Sequence, residues 1–140
     1  DKNIYQMILI GIGDEFDIIK EKINQMKLNN NITLLGLRND VNELMQAFDM
    51  FLLPSNFEGL PIVGVEAQTA GLPCIFSDKI TDEIILTQNS INLPLKLEIW
   101  KQKIEEFTGK KRLKEEELGP NIQNYYLENQ RKQFMEFIKI

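Results

Sequence analysis

Apolar and polar positions recur with two periods along this chain, and the switches between those periods lay out the elements. Residues 4–10 form an apolar run with β-branched and aromatic members, closed by Gly11, and read as a buried strand. After Gly11-Ile12-Gly13-Asp14 the period lengthens: Phe16, Ile19, Ile23 and Met26 fall at spacings of three and four, which predicts a helix to about residue 29. Asn29-Asn30-Asn31 is a loop, 32–35 a second strand, and 41–48 a helix that Asn39 or Asp40 can cap. Short apolar runs at 51–53, 74–76 and 91–93 predict three more strands. Residues 79–88 read as a helical turn or short helix. A helix over 97–107 carries Leu97, Trp100, Ile104 and Phe107 on one stripe. The charge-rich stretch 110–117 reads as a solvated segment or linker, Gly119-Pro120 as a break, and 121–140 as a terminal helix.

Strands alternating with helices predict an α/β fold, a Rossmann-like parallel sheet with helices on both faces. In such sheets ligands sit at the carboxyl ends of the strands, so the loops after 10, 35 and 53 are where a site is expected. At 140 residues the chain is read as one domain, 1–140, with no internal repeat.

Composition narrows the classes. Asp and Glu outnumber Lys and Arg by 21 to 16, a net charge of -5, where a nucleic-acid binder would show a basic stripe. One cysteine and no histidine leave no disulfide within the chain and no His/Cys metal site. Cys74 reads as a small buried apolar residue. No apolar run approaches the roughly 20 residues that span a bilayer, and no signal peptide is visible. The chain opens on Asp1, directly with structure, and is read as a fragment of a larger protein.

The chemistry concentrates in residues 54–78, which read as loop, helix and strand following the strand at 51–53. Glu58 enters a Gly59-Leu60-Pro61 corner; Pro61 suits a first helical turn, Gly71 a helix end, and Pro73 blocks resumption. The first N–H groups of a helix have no intrahelical partner and attract an anion, and Gly59 allows close backbone approach. Carboxylates at Glu58 and Glu66 on either side of an anion are suited to accept from hydroxyl groups, the layout of a nucleotide-sugar. Exposure is nevertheless the commoner state of a glutamate, and Glu58 as a solvated loop residue and Glu66 as a surface residue remain the ordinary reading of the spacing. Gly11 and Gly13 form a tight strand-to-helix turn; a dinucleotide fingerprint would want glycine where Phe16 stands.

Pro-Ser-x-x-Glu-Gly-x-Pro…Glu-Ala…Gly-x-Pro, with Leu35-Gly36-Leu37-Arg38-Asn39-Asp40-Val41 and Asp49-Met50-Phe51-Leu52-Leu53 upstream and Ser77-Asp78-Lys79-Ile80-Thr81-Asp82-Glu83 downstream, resembles the two-glutamate signature of retaining GT-B glycosyltransferases. The likeness is to the family 4 type that builds capsular and exopolysaccharides in bacteria, and covers roughly residues 5–100. It implies the carboxyl-terminal, donor-binding half of a GT-B fold. Glu58 with Gly59, Leu60, Pro61 and Ile62 would bind donor sugar and phosphate. Glu66 would bind ribose, Leu37 and Arg38 the base, and Gly11 and Gly13 would border the phosphates. No cofactor or metal is implied; the substrate would be a nucleotide-sugar, with a UDP-sugar the family-weighted choice. Arg38 as a solvent-facing loop charge stays equally open.

The same resemblance implies what is lacking. The family's first, central strand, its diphosphate-neutralising Arg and Lys, and the amino-terminal domain with the acceptor site have no counterpart here, so this chain alone is expected to show little or no transfer. The implied location is cytoplasmic, with peripheral association at the inner face of the plasma membrane through the full-length protein left open. Two other readings are weighed: half of a GT-B nucleotide-sugar epimerase, and a non-catalytic α/β interaction module.

Overall fold

The computed structural model describes residues 5–137; Ile4, at the start of the first expected strand, and residues 138–140 of the expected terminal helix lie outside them. The chain divides into two compact units, Asp1–Val41 and Asn42–Ile140.

The first unit holds β1 (Met7–Ile10), α1 (Phe16–Gln25) and β2 (Ile32–Gly36). The strands run parallel, Met7 opposite Ile32 and Leu9 opposite Leu34, with a one-residue shift that sets Ile10 against Gly36. α1 stops short of the expected residue 29. Lys27 takes φ 56°, its N–H bonds to Asn24 O and that of Leu28 to Ile23 O, both at 3.0 Å. That is the usual left-handed helix stop, built on a lysine where glycine is the common signal. β1 also departs from the buried strand expected. Met7 and Ile8 are 42% and 40% exposed, and adjacent strand residues point to opposite faces. Among the described residues of this unit only Ile23 of α1 is buried, so neither face of β1 is well covered.

The second unit contains α2 (Val41–Met45, which starts on the residue before it), β3 (Phe51–Leu53), α3 (Ile62–Thr69), β4 (Cys74–Ser77), β5 (Ser90–Leu93), α4 (Leu97–Phe107), α5 (Pro120–Gln123) and α6 (Leu127–Phe137). Its sheet is parallel, in the order β3-β4-β5, with Leu52 opposite Ile75 and Ile75 opposite Ile91. Central β4 is buried at all four residues. Its successive side chains serve two faces. Ile75 joins Leu93 and Trp100, so α4 lies on that side, where Trp100 Nε1 donates to Pro94 O at 2.9 Å. Phe76 meets α3 at Gly64, where a Cβ would stand 2.8 Å from Phe76 Cε1 and 3.0 Å from Ile84 Cδ1. The missing side chain is what lets the helix lie this close. The α/β architecture with a parallel sheet between helices therefore stands. The five strands, however, form two sheets, and among the described residues β1 and β3 each keep one edge without a strand.

Buried Gln68 of α3 ties the helix to the chain before β5. Its Nε2 donates to Gly64 O at 3.0 Å and Ile84 O at 2.7 Å, while Oε1 accepts from Leu86 N at 3.0 Å, Thr87 N at 3.2 Å and Ser90 Oγ at 2.7 Å. Every hydrogen-bonding group of the amide is used, as a buried amide requires.

The 110–117 stretch, expected to be a solvated segment or linker, is a strap. Arg112 donates to Ala70 O at 2.7 Å, to Phe48 O at 2.6 Å and to Met45 O, while Leu113 N–H bonds Gly71 O at 2.9 Å and Asn89 Nδ2 bonds Lys111 O at 3.1 Å. A cation at the carboxyl-terminal ends of α2 and α3 meets the negative ends of both helix dipoles. Gly71 has φ 75°, and a Cβ there would lie 2.1 Å from Leu113 O, so helix stop and strap share one glycine.

The 79–88 segment contains the helical turn expected there, a single 3-10 turn, Asp82–Ile84, entered at Thr81, whose Oγ1 accepts from Glu83 N at 3.4 Å. One smaller difference follows from packing: the single helix expected over 121–140 is two, α5 and α6. Between them Tyr125 and Tyr126 both pack on the Leu86, Leu118 and Ile122 cluster. Successive positions of one straight helix, about 100° apart, would turn one of them away. No helix among the described residues is long and apolar enough to cross a membrane.

Candidate functional site

The β3–α3 corner brings Glu58, Gly59, Leu60, Pro61 and Ile62 together with Glu66. β3 delivers the chain to Pro54 at its carboxyl end, the side where ligands meet parallel sheets. The backbone at Glu58 makes an isolated parallel bridge to Ile80, whose side chain is buried, so the loop is anchored beyond β4. Glu58 is half-buried, and Ser55 Oγ donates to its Oε1 at 3.2 Å. Gly59 and Leu60 are exposed and Pro61 is buried.

Pro61 stands one place earlier than expected. It is the residue before the helix, at φ -72° and ψ 114°, and Ile62 opens α3. Hydrogen bonding within the helix starts with Gly64 N to Pro61 O at 2.9 Å and Val65 N to Pro61 O at 3.3 Å. The N–H groups of Ile62 and Val63 lie ahead of that first bond, at the positive end of the dipole. Ile62 is 75% exposed, so this end is open to a ligand. Glu66 lies exposed one turn further along. It lines a groove of about 560 Å³ with Asn42, Gln46, Leu60, Ile62 and Tyr126, a size suited to a small ligand. A second cleft, of about 380 Å³ against Thr87, Leu118 and Pro120, shares no residue with that groove.

Residues 54–78 contain no lysine or arginine, and the next cation, Lys79, pairs with Asp78 at 3.7 Å, so the segment 58–66 itself offers two carboxylates and helix N–H groups. Such a surface accepts from hydroxyl groups and holds an anion by N–H groups rather than by side-chain cations.

The remaining predicted residues belong to the first unit. Gly11 and Gly13 follow β1, and Gly11 N–H bonds Gly36 O at 2.8 Å, which draws the ends of the two strands together. Leu37 and Arg38 follow β2, with Leu37 77% exposed. Arg38 Nε donates to Asp40 Oδ1 at 2.8 Å and its Nη2 to Oδ2. This forked bond raises the Arg38 pKa and, with it as the chief cause, lowers that of Asp40. Asp40, expected as a helix cap, thus has its carboxylate engaged by Arg38.

Cys74 lies fully buried in β4, and desolvation pushes its thiol up to about 12, which leaves it protonated at neutral pH. Among the described residues no group of three or more His, Cys, Asp or Glu is placed to hold a metal ion. Sequence reasoning missed three residues that shape this region. Ser55 stood in the motif with no role assigned to its side chain, Gln68 had only its place on an otherwise apolar helix face, and Arg112 was hidden in a charged run.

A family model described as glycosyl transferases group 1 matches residues 1–89. EpsF of Bacillus subtilis strain 168, which is named as a glycosyltransferase, is 39% identical over 105 residues, 71% of this chain and 27% of its own length. The UDP-Gal:alpha-D-GlcNAc-diphosphoundecaprenol alpha-1,3-galactosyltransferase of Escherichia coli is 40% identical over 72 residues, 51% of this chain and 19% of that protein. The chain thus spans about a quarter of one relative and a fifth of the other. Among solved structures, the apo form of WaaB, a lipopolysaccharide outer core galactosyltransferase, superposes with a TM-score of 0.76 at 20% identity, over 96% of this chain and 41% of that one. At that identity the likeness is one of fold. These matches correct the family 4 assignment: the model that matches residues 1–89, where the motifs that suggested it fall, is that of glycosyl transferases group 1 and not specifically of family 4. The length and position of the match, taken with the α/β fold, place this chain among the glycosyl transferases of group 1.

Proposed function

We propose that this chain is the donor-binding half of a retaining GT-B glycosyltransferase that moves a sugar from a UDP-sugar to a glycan or lipid-linked acceptor in surface polysaccharide synthesis, without a metal ion. The observation that carries the reading is the β3–α3 corner. There a half-buried Glu58 carboxylate, the open amino-terminal end of α3 and Glu66 follow one another in a chain of this family. The Escherichia coli relative, whose name includes a UDP-Gal donor and a diphosphoundecaprenol-linked acceptor, supports the donor and acceptor classes.

In this reading Glu58 accepts from hydroxyls of the donor sugar, and N–H groups of Gly59 to Ile62 approach the distal phosphate. Glu66 accepts from the ribose hydroxyls. Leu37 and Arg38 as base contacts, and Gly11 and Gly13 as a phosphate loop, rest on the family resemblance. During transfer the bond from the anomeric carbon to phosphate oxygen breaks, the acceptor hydroxyl oxygen bonds to that carbon on the same face of the sugar, and the hydroxyl proton passes to the departing diphosphate oxygen. The charge left on the diphosphate is met by helix N–H groups and by the family's Arg and Lys, which the reading assigns to another part of the protein. So are the acceptor-binding domain and a further strand, for which the open edge of β3 offers pairing groups.

The test is calorimetric titration of the full-length protein. Glu66→Ala should weaken both UDP and the UDP-sugar, and Glu58→Ala mainly the UDP-sugar. Each lost bond to a charged acceptor, about 1.5–3 kcal/mol, corresponds to about 10- to 150-fold in affinity. Unchanged affinities in both variants would overturn the reading.

A further inference from the structure

We infer that Ser55 is a positioning residue for Glu58, setting which carboxylate oxygen meets the ligand; the inference rests on the reading of Glu58 as a contact to donor-sugar hydroxyls. The backbone and the side chain of Glu58 are held by different means. Its backbone is fixed by the bridge to Ile80, whose own N–H bonds Ser77 O at 3.2 Å. That bridge leaves three side-chain torsions undetermined. Among the described residues the partner of the carboxylate is Ser55 Oγ, at 3.2 Å on Oε1.

Ser55 is well placed for this. It is half-buried, comes two residues after β3, and stands three residues before Glu58 on the same turn of loop. A serine hydroxyl has one proton to donate, so it can anchor one oxygen while Oε2 keeps its acceptor capacity for a ligand hydroxyl. A lysine or arginine would also hold the carboxylate, but it would neutralise the charge that makes the acceptor strong. The ion pairs among the described residues are Arg38 with Asp40, Lys79 with Asp78 and Lys103 with Glu106; none involves Glu58. The loop therefore orients the carboxylate while leaving its charge available. Serine-to-carboxylate bonds three residues apart also occur as plain turn features, and the experiment separates the two.

The full-length protein is titrated with a panel of UDP-, GDP-, dTDP- and ADP-linked glucose, galactose, mannose and N-acetylglucosamine, and with each free nucleoside diphosphate. For the tightest nucleotide-sugar, Ser55→Ala should weaken binding about 10- to 30-fold, the lower part of the range for a lost bond to a charged group. The matching nucleoside diphosphate should be unaffected, Ser55→Thr should restore binding, and Ser55→Ala should add no further loss in a Glu58→Gln background. Ser55→Cys, close in shape and a poor donor, should repeat the loss if the alanine variant fails to fold. Unchanged sugar binding in the Ser55 variants, with a loss in Glu58→Gln, would overturn the positioning role and leave the Glu58 reading intact. Equal losses for nucleotide-sugar and free diphosphate, or a further loss in the Glu58→Gln background, would mean that Ser55 acts on the loop rather than through Glu58. Full binding by Glu58→Gln, or no binding of any panel member by the unaltered protein, would remove both.

Discussion

Arg112 offers the most direct test of how the second unit is held together. Its guanidinium donates to three backbone carbonyls, Met45 O, Phe48 O and Ala70 O, and the side chain is half-buried. Hydrogen bonds from a charged donor contribute roughly 1.5–3 kcal/mol each, so three would sum to about 4.5–9 kcal/mol if truncation left every carbonyl dry. They would not stay dry. The carbonyls lie at helix ends beside a half-exposed side chain, and water can replace most of what is lost. A net loss of about 2–4 kcal/mol for Arg112→Ala is therefore expected. The loss should be local, because the strap's own backbone bond is the one from Leu113 N–H to Gly71 O. Amide hydrogen exchange on the full-length protein reads that bond: protection over residues 110–118 should fall about 30- to 1000-fold, the same free energy at about 1.4 kcal/mol per decade. Arg112→Lys keeps the charge but not the planar fork and should fall between. If Leu113 exchanged at the same rate in Arg112→Ala as in the unaltered protein, the guanidinium would not be what holds the strap.

Gln68→Leu should destabilise the protein by about 2–4 kcal/mol, because it leaves the N–H groups of Leu86 and Thr87 without their acceptor in a buried place; a denaturation midpoint equal to that of the unaltered protein would show that these groups find other partners. Cys74 should resist iodoacetamide at pH 8 until the protein unfolds, since burial holds its pKa at about 12 against 9.0 for an ordinary thiol. The sign of its linkage follows: above pH 9 the unfolded chain sheds the thiol proton and the folded one keeps it, so stability present below pH 9 is lost as pH rises towards 12. Cys74→Val should flatten that decline, and equal slopes for the two proteins would refute the shift.

How far the sequence was legible depended on whether the signal lay in side-chain pattern. The apolar stripe of Leu97, Trp100, Ile104 and Phe107 predicted α4 at its observed limits; Trp100, Ile104 and Phe107 do pack with Ile75 and Leu93, joined by Ile99, whereas Leu97 is 79% exposed. Strands β3 and β4 were equally plain as short apolar runs between turn residues. The end of α1 was not: a lysine at φ 56° leaves no compositional mark, and the asparagines that follow carry the stronger loop signal. Arg112 was misread for a related reason, since its partners are carbonyl groups that every residue carries and no sequence advertises. Nor can periodicity say which strands pair. Five strands were legible, but their division into two sheets depends on edges that only coordinates reveal. At the candidate site, Glu58 and Glu66 lie on the loop and helix expected of them, whereas the Ser55 bond needed three-dimensional geometry to be seen.

The exposure of β1 bears on how these residues behave when separated from whatever else the protein contains. Met7-Ile8-Leu9-Ile10 is short, uncharged and strongly β-forming, its first two side chains are exposed on opposite faces while Leu9 and Ile10 are half-buried, and one of its edges carries no strand among the described residues. A strand of that kind is a template for another copy of itself, and natural proteins usually blunt such edges with a charge, a bulge or a covering segment. Self-association through β1 is thus the physical hazard of handling these 140 residues by themselves. A lysine in place of Ile8 would be the mildest way to interrupt it, because that side chain already reaches solvent.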